Sequence, residues 1–215
     1  MNIVISGASR GIGKAIAERF LSAGDRVFGL DILSGTLNHP NYSHFLCDVR
    51  SDVFPEFPEV GIVISNAGTL EETDAIEVNL LGAMHFAEHY IKSDSLCSVL
   101  FVASASARNG AEFPRYVASK AGIVGYMKNM ALKLAKRGVT CNSISPGGVI
   151  TESNRHILES EKLYKAVKAE TLLGKWAEPE EIAELAFFLT RVNRSITGED
   201  ILIDNGEMLK SNFIW

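Results

Sequence analysis

NIVISGASRGIG, residues 2–13, is the stretch of sequence that decides the fold. The apolar run at 2–6 predicts a buried strand, and a helix-periodic segment at 13–24 follows it after a loop with three glycines. Glycine lets a ligand approach the backbone closely, and the free N–H groups of a helix N-terminus suit a pyrophosphate. A tight turn whose glycines only relieve crowding is the alternative. The position of the loop favours a dinucleotide cradle formed by Gly7, Ser9, Arg10, Gly11, Ile12 and Gly13.

The rest of the chain repeats this alternation of Val- and Ile-rich runs with helix-periodic segments, which predicts βα units around a parallel sheet. We expect strands at 2–6, 26–31, 44–49, 61–65, 98–104, 139–145 and 200–204. We expect the main helices at 13–24, 74–90, 115–136 and 179–190. No internal repeat or break in composition divides the chain. The expected fold is therefore a single-domain α/β Rossmann fold over residues 1–215, with a doubly wound parallel sheet of about seven strands and helices on both faces.

Composition and charge exclude several classes of protein. The net charge is −5, and acidic and basic residues are interspersed, which argues against a nucleic-acid partner. The three cysteines, Cys47, Cys97 and Cys141, lie in apolar stretches, as expected of core residues in a reducing compartment. No signal peptide is recognisable, and no apolar run approaches the roughly 20 residues that cross a bilayer. A soluble, cytoplasmic protein with no membrane partner is expected.

Asp31 ends the second predicted strand, 18 residues after Gly13. A carboxylate there can accept hydrogen bonds from the adenosine ribose hydroxyls of a dinucleotide, and it would repel a 2′-phosphate. Arg10 could instead pair with a 2′-phosphate, and aspartate is also a common turn residue. We favour NAD over NADP as the cofactor, with NADP as the alternative.

Tyr116 and Lys120 belong to the segment YVASK, and their i, i+4 spacing places the phenol and the ammonium on one helix face. A free tyrosine titrates near pH 10, and a nearby positive charge favours the phenolate. The pair could therefore act as a general acid and base. By itself, such a pair is also compatible with an ordinary solvated helix face.

Taken together, these motifs resemble the short-chain dehydrogenase/reductase family, in its shorter branch with a G-x-x-x-G-x-G loop and Y-x-x-x-K. Gly7, Gly11 and Gly13 match the loop, and CDV, SNAG and PGGVIT match further family segments. Ser65, before Asn66, departs from the family's N-N-A-G pattern. The resemblance runs nearly from end to end. It implies an oxidoreductase that transfers a hydride between a nicotinamide dinucleotide and a small-molecule carbonyl or secondary alcohol.

The resemblance also implies roles for individual residues. Further cofactor contacts are implied for Asp48, Val49, Asn66, Ala67, Gly68, Tyr116, Lys120, Pro146, Gly147, Val149 and Thr151. The implied catalytic set is Ser104, Tyr116, Lys120 and Asn79, with the asparagine completing a water-linked proton relay to the lysine. Ser104 precedes Tyr116 by 12 residues, one fewer than the family's usual spacing. Ser106 is therefore the alternative serine.

The chain is shortened relative to the family at 50–60 and 69–78. Two prolines in SDVFPEFPE exclude the usual long crossover helix at the first place. The second borders the expected cleft, which would then be more open or be completed by another subunit. Residues 152–173 are expected to form a mobile substrate lid, on which Arg155, His156 and Tyr164 could touch substrate.

Other functions remain open from the sequence. A non-catalytic dinucleotide-binding sensor or regulatory protein could keep the same fold. A sugar-nucleotide epimerase would use a similar Tyr–Lys pair, but with different glycine spacing and a larger C-terminal region. His85 and His89 lack the H-E-x-x-H arrangement, so no metal site is expected. The resemblance implies a homodimer or homotetramer.

Overall fold

Seven parallel strands form one sheet in the computed structural model, which describes residues 1–51 and 53–209. The spatial order is β3-β2-β1-β4-β5-β6-β7. The strands are β1 (Asn2–Ser6), β2 (Arg26–Asp31), β3 (Tyr42–Leu46), β4 (Val60–Ser65), β5 (Ser98–Val102), β6 (Thr140–Pro146) and β7 (Asp200–Ile203). The chain order reverses between β1 and β4, and in open α/β sheets ligands bind beyond the carboxyl ends of the strands at such a point.

Helices cover both faces of this sheet. The α-helices are α1 (Gly11–Ser22), α2 (Ala83–Tyr90), α3 (Ser106–Asn109), α4 (Pro114–Leu134), α5 (Arg155–Leu158), α6 (Glu161–Ala169) and α7 (Pro179–Phe187). A π-helical segment, Ile76–Gly82, leads into α2, and another, Phe188–Val192, follows α7. Short 3₁₀ turns occupy Ala135–Arg137, Glu152–Asn154 and Glu207–Leu209. None of the described helices is both long and apolar enough to cross a membrane.

The core consists of two apolar layers, one on each side of the sheet. Phe86 and Met127 anchor the layer beneath α2 and α4, and Phe20 and Ile182 anchor the layer beneath α1 and α7. Every residue of β4, β5 and β6 is buried, as expected for central parallel strands covered on both faces. The predicted doubly wound Rossmann fold with seven parallel strands is confirmed.

Element boundaries differ from the predicted ones where turns interrupt the apolar runs. The third strand was expected at 44–49 but spans Tyr42–Leu46, because Asp48 accepts the backbone N–H of Arg50 and forms a turn. The fifth was expected to reach 104 but ends at Val102. The last main helix was expected to continue to 190, but its α-helical part ends at Phe187 and passes into the π-helical segment.

The segment between β3 and β4 is held by aromatic side chains. The Phe57 ring stacks on Phe28 with ring centroids 4.2 Å apart, and Phe54 is buried against Phe86. The Tyr90 hydroxyl donates to the carbonyl of Pro55 at 2.8 Å. The described residues of this segment form no helix, in agreement with the prediction from its two prolines. Phenylalanine side chains thus cover the sheet surface on which a longer crossover helix would pack.

Candidate active site

A cavity of about 930 Å³ opens beyond the carboxyl ends of the strands. The loops after β1, β2, β4, β5 and β6 all contribute to its walls. The sequence-predicted residues that line it are Gly7, Arg10, Gly11, Ile12, Asp31, Asp48, Val49, Asn66, Ala67, Gly68, Ser104, Tyr116, Lys120, Pro146, Gly147, Val149 and Thr151. Ser9, Gly13 and Asn79 lie outside this lining. The cleft therefore brings the proposed cradle and the Tyr–Lys pair together.

The glycine loop packs against the start of α1 more closely than any side chain would allow. A Cβ atom on Gly13 would lie 2.0 Å from the carbonyl oxygen of Gly7. The side chain of Asn66 donates to the carbonyls of Ser6 and Gly7 at 3.1 and 3.0 Å. Gly13 thus serves helix packing and not direct contact with the cavity.

The first turn of α1 is available to an anion. Its N-cap residue, Arg10, makes no side-chain capping hydrogen bond, and no acidic side chain lies in the first turn. Gly11 and Ile12 of this turn line the cavity. Unsatisfied N–H groups and the positive end of the helix dipole favour a phosphate at such a terminus. The donor set therefore fits the pyrophosphate of a dinucleotide.

Asp31 is fixed at the end of β2 by two backbone donors. Its carboxylate accepts the N–H of Ser9 at 2.9 Å and the N–H of Leu33 at 3.0 Å. The hydroxyl of buried Ser9 donates to the carbonyl of Leu33 at 3.1 Å. Ser9 thus ties the glycine loop to the loop after β2, behind the cavity wall, and Asp31 itself remains in the lining.

Arg50 is a cavity-lining residue that the sequence analysis missed. Its guanidinium donates to both carboxylate oxygens of Asp48, with Nη2 at 2.6 Å and Nε at 3.0 Å from Oδ2. Hydrogen bonding from Arg50 holds the pKa of the Asp48 carboxyl below its usual value. The D-V-R spacing is the signal for this pair, because a side chain two residues past a turn aspartate can return to it.

The Tyr116–Lys120 pair lies in the cavity as its spacing on α4 predicts. The ammonium of Lys120 is 5.8 Å from the centroid of the Tyr116 ring and donates to the carbonyl of Val102 at 3.0 Å. Burial lowers the pKa of Lys120 to about 8, and the nearby Glu112 carboxylate opposes this change. Burial raises the pKa of Tyr116 to about 12, and a hydrogen bond from Ser104 acts in the opposite direction. Tyr116 is therefore protonated at neutral pH in this state.

Both candidate serines line the cavity, and Ser104 is the one that lowers the pKa of the Tyr116 phenol through side-chain hydrogen bonding, against the larger rise caused by burial. Ser106 instead bonds to Ser104, with its hydroxyl 2.9 Å from Ser104 Oγ. The short connection to Tyr116 turns tightly, because Gly110 and Glu112 both have positive φ values, of 73° and 84°. This turn accommodates the loop that is one residue shorter than in the family pattern.

Asn79 lies in the π-helical segment before α2 and is fully buried. Its amide nitrogen donates to the carbonyl of Thr69 at 2.9 Å and to Ser119 Oγ at 3.1 Å, and its Oδ1 accepts the N–H of Thr69. A Cβ on Gly68 would lie 3.2 Å from Asn79 Oδ1 and 3.4 Å from Lys120 Nζ. Asn79 therefore stands next to the lysine but behind the wall formed by Gly68.

Four further residues in or next to the cavity were missed in the sequence analysis, because only the tertiary structure brings them close to Tyr116 and α4. Glu72, in the shortened 69–78 segment, accepts the backbone N–H of Arg115 at the start of α4. Ser119 is fully buried and donates to the carbonyl of Tyr116 at 2.7 Å. Glu112 and Glu207 line the cavity, and burial raises the pKa of both carboxyl groups. Nothing in the local sequence pattern distinguishes these residues from surface side chains.

The predicted lid residues separate in the structure. His156 lines the cavity, Arg155 is exposed beside Glu159, and the Tyr164 ring contacts Trp176 edge-on with centroids 6.3 Å apart. His89 lies 3.2 Å from Glu56. Within residues 1–51 and 53–209, no three His, Cys, Asp or Glu side chains are grouped so as to hold a metal ion.

Comparisons with known proteins agree with this geometry. Residues 58–207 match the family model described as enoyl-(acyl carrier protein) reductase. The chain is 28% identical over 234 residues to the 3-oxoacyl-acyl-carrier-protein reductase of Salmonella typhimurium, covering 94% of this chain and 95% of that protein. It is 26% identical over 244 residues to the L-rhamnose 1-dehydrogenase (NADP(+)) of Thermoplasma acidophilum, covering 97% of this chain and 96% of that protein.

Solved structures give the same result. The aldohexose dehydrogenase of Thermoplasma acidophilum superposes with a TM-score of 0.89 and 26% identity, covering 100% of this chain and 96% of that chain. The similar proteins are named as reductases and dehydrogenases, so the alternative of a non-catalytic sensor is not supported. Since the family model spans most of the sequence and the motifs of the family meet in one cleft, the chain belongs to the short-chain dehydrogenase/reductase family of NAD(P)-dependent oxidoreductases.

Proposed function

We propose that Tyr116 exchanges the proton in the oxidation and reduction of a small carbonyl or alcohol compound, assisted by Lys120 and Ser104. The observation that carries this proposal is the buried ammonium of Lys120, 5.8 Å from the Tyr116 ring, in the same cleft as the uncapped N-terminus of α1. Burial disfavours the charged form of Lys120 and so lowers the stability of the fold. A buried cation beside a phenol therefore points to a catalytic use that outweighs this cost.

The chemistry divides between the cofactor and the protein. A bound nicotinamide dinucleotide supplies or takes up the hydride at the substrate carbon. In the direction of reduction, Tyr116 donates its proton to the carbonyl oxygen and becomes a phenolate. The charge of Lys120 stabilises that phenolate, and the hydroxyl of Ser104 donates to the substrate oxygen. In oxidation the same phenolate takes the proton of the alcohol.

Asn79 lies outside the cavity lining but is close to the catalytic residues. It lies next to Lys120 across Gly68, and its bonds to Thr69 and Ser119 connect the wall of the cleft to the catalytic helix α4. We assign it to the proton path that restores the Tyr116 proton through Lys120, in keeping with the family resemblance.

The cofactor is held by the residues of the cradle and the facing loops. Gly11 and Ile12 line the cavity at the start of α1 and would offer N–H groups to the pyrophosphate, and Asp31 at the end of β2 would accept hydrogen bonds from the adenosine ribose. Among the described residues, the hydrogen-bond donors to the Asp31 carboxylate are two neutral backbone N–H groups, and no cationic side chain neutralises its charge through a hydrogen bond. This charge favours NAD over NADP for this chain, although two relatives are named for NADP and for NAD(P).

The proposal also covers the domain organisation, the substrate lid, the partners and the cellular location of the protein. We propose that the chain forms one catalytic domain in which residues 152–173 act as a substrate lid, since α5 and α6 contain no buried residue. The negative net charge favours a small-molecule substrate over nucleic acid. A homodimer or homotetramer is proposed by analogy, and the three free cysteines suit the reducing cytoplasm.

The decisive experiment is a panel of carbonyl and alcohol compounds, followed by the absorbance of the reduced nicotinamide with NAD(H) and NADP(H) in parallel. We expect Tyr116→Phe to lower kcat on the best substrate by about 10²- to 10⁴-fold and to leave the Kd for NADH within about twofold. Tyr126→Phe is the matched control, since Tyr126 lies on the same helix but bonds to Glu88 outside the cleft. Equal turnover by Tyr116→Phe and the wild type would refute the proposal.

A further inference from the structure

Two serines stand two residues apart just after β5, and both are buried: Ser104 is 8% exposed and Ser106 is 5% exposed. Ser104 Oγ accepts the backbone N–H of Ser106 at 3.2 Å and the hydroxyl of Ser106 at 2.9 Å. Both hydrogen bonds that Ser104 Oγ accepts thus come from one residue, in a cleft that Tyr116 also lines.

These two bonds restrict what the Ser104 hydroxyl can do. A serine hydroxyl has one donor hydrogen and two acceptor lone pairs. With both acceptor positions taken by Ser106, Ser104 can make a further hydrogen bond only by donating its own proton.

The backbone holds this arrangement on both sides. The N–H of Ala105 donates to the carbonyl of Pro146 at 2.8 Å, and the N–H of Ala107 donates to the carbonyl of Ser104 at 3.0 Å. Ser106 is the first residue of α3, so its backbone N–H is free of helical partners and available to the Ser104 side chain. The pair is therefore anchored both to β6 and to a helix start.

We propose that Ser106 is a positioning residue that makes Ser104 a dedicated hydrogen-bond donor, which serves the Tyr116 oxygen while the cleft is empty of substrate and the substrate oxygen once substrate binds. This inference rests on the proposed function of the same site. It is supported by the effect of Ser104 on Tyr116, since its hydrogen bond lowers the pKa of the phenol, as a donor to the phenolate does.

A dedicated donor matters because of where negative charge develops. The substrate oxygen of an alcohol and the phenolate of Tyr116 both gain stability from a donor, and a donor that is already oriented needs no reorganisation during the reaction. A serine free to rotate would spend part of its time turning a lone pair toward a carbonyl or phenolate oxygen, which can only accept a hydrogen bond.

The test is a double-mutant cycle on kcat with a substrate from the panel. Ser106→Ala should lower kcat about fivefold, the effect of one net hydrogen bond, with little change in KM. Ser104→Ala should lower kcat about 10²-fold or more. Because Ser106 acts only through Ser104, the double variant should be no slower than Ser104→Ala alone.

Two further readouts separate positioning from a merely structural role. Ser106→Ala should move the acidic limb of the kcat profile for alcohol oxidation to higher pH, because the phenolate loses part of its donor. Ser106→Thr, which restores a hydroxyl, should recover most of the wild-type rate. Ser98→Ala is the matched control: this buried serine of β5 bonds to Thr140 away from the cleft, and kcat should not change.

The outcomes are distinct. An unchanged kcat in Ser106→Ala, or effects of the two serines that multiply in the double variant, would overturn the inference and leave the proposed function intact. A larger loss in Ser106→Ala than in Ser104→Ala would also overturn it, since Ser106 would then act directly. Full activity of Tyr116→Phe would instead remove the proposed function. If Ser106→Ala does not fold, Ser106→Cys, with its weak donor, should show the same fivefold loss.

Discussion

Replacing Lys120 with methionine should make the protein more stable and nearly inactive at the same time. Lys120 is 4% exposed, and its ammonium donates to the carbonyl of Val102 at 3.0 Å. Methionine keeps an unbranched side chain of similar length in this space and removes the charge. The substitution therefore isolates the electrostatic role of the residue from its packing.

The effect on activity follows from the distance between Lys120 and the Tyr116 ring. Two unit charges 5.8 Å apart interact by about 3 kcal/mol at an effective dielectric constant of about 20. That energy corresponds to about two pKa units of the Tyr116 phenol, which rises in the variant. We therefore expect kcat for alcohol oxidation at neutral pH to fall about 100-fold, and the pH at which the rate levels off to increase.

The effect on stability has the opposite sign. The pKa of Lys120 falls from 10.5 in the unfolded chain to about 8 in the folded one. Between these values the unfolded chain binds a proton that the folded chain lacks, so the free energy of unfolding of the wild type rises with pH across that window. Below pH 8 the full cost of the buried charge is present, about 3 kcal/mol. Lys120→Met removes this cost but leaves the carbonyl of Val102 without its donor, at a cost of about 1–3 kcal/mol.

Guanidinium unfolding at pH 7 and pH 9, together with alcohol oxidation at both pH values, checks these expectations. We expect the variant to be about 1 kcal/mol more stable at pH 7, with the difference smaller at pH 9 as the wild type loses its buried charge. Lys128→Met, an exposed lysine of the same helix, is the control and should change neither quantity. A variant with kcat within tenfold of the wild type, or one clearly less stable at pH 7, would refute the reasoning.

The other predictions concern the cofactor cradle. Gly13→Ala places a Cβ 2.0 Å from the carbonyl oxygen of Gly7, so the loop must move, and fluorescence titration should show NADH affinity reduced at least about tenfold. Gly125→Ala, where a Cβ meets nothing within 4 Å, should leave that affinity unchanged and stabilise α4 by about 1 kcal/mol. Asp31→Ala should weaken NADH binding and strengthen NADPH binding, measured by calorimetry, because the repulsion of the 2′-phosphate is removed. A wild type that binds NADPH more tightly than NADH would contradict the proposed preference for NAD.

The sheet, the position of the glycine loop before α1 and the place of Tyr116 and Lys120 on α4 were predictable because their signals are local. Strand and helix periodicity depends on near neighbours in the chain, and the i, i+4 spacing of Tyr116 and Lys120 places both on one helix face in any helix. The two prolines between β3 and β4 likewise excluded a long helix without knowledge of the fold. What periodicity could not supply was Phe57 stacking on Phe28, since this contact joins separate parts of the chain.

The environment of those residues was decided by tertiary structure. The sequence alone left Ser104 and Ser106 as alternatives, and the hydrogen bonds after β5 assign them different places. Asn79 lies behind Gly68, because the π-helical segment turns its amide toward Thr69, and its part in the proton path stays a prediction. The sequence by itself determined the family, the sheet and the position of the Tyr–Lys pair. Only the packing of distant loops decided the partners and the pKa values of the site, because these depend on burial and on contacts between residues far apart in the chain.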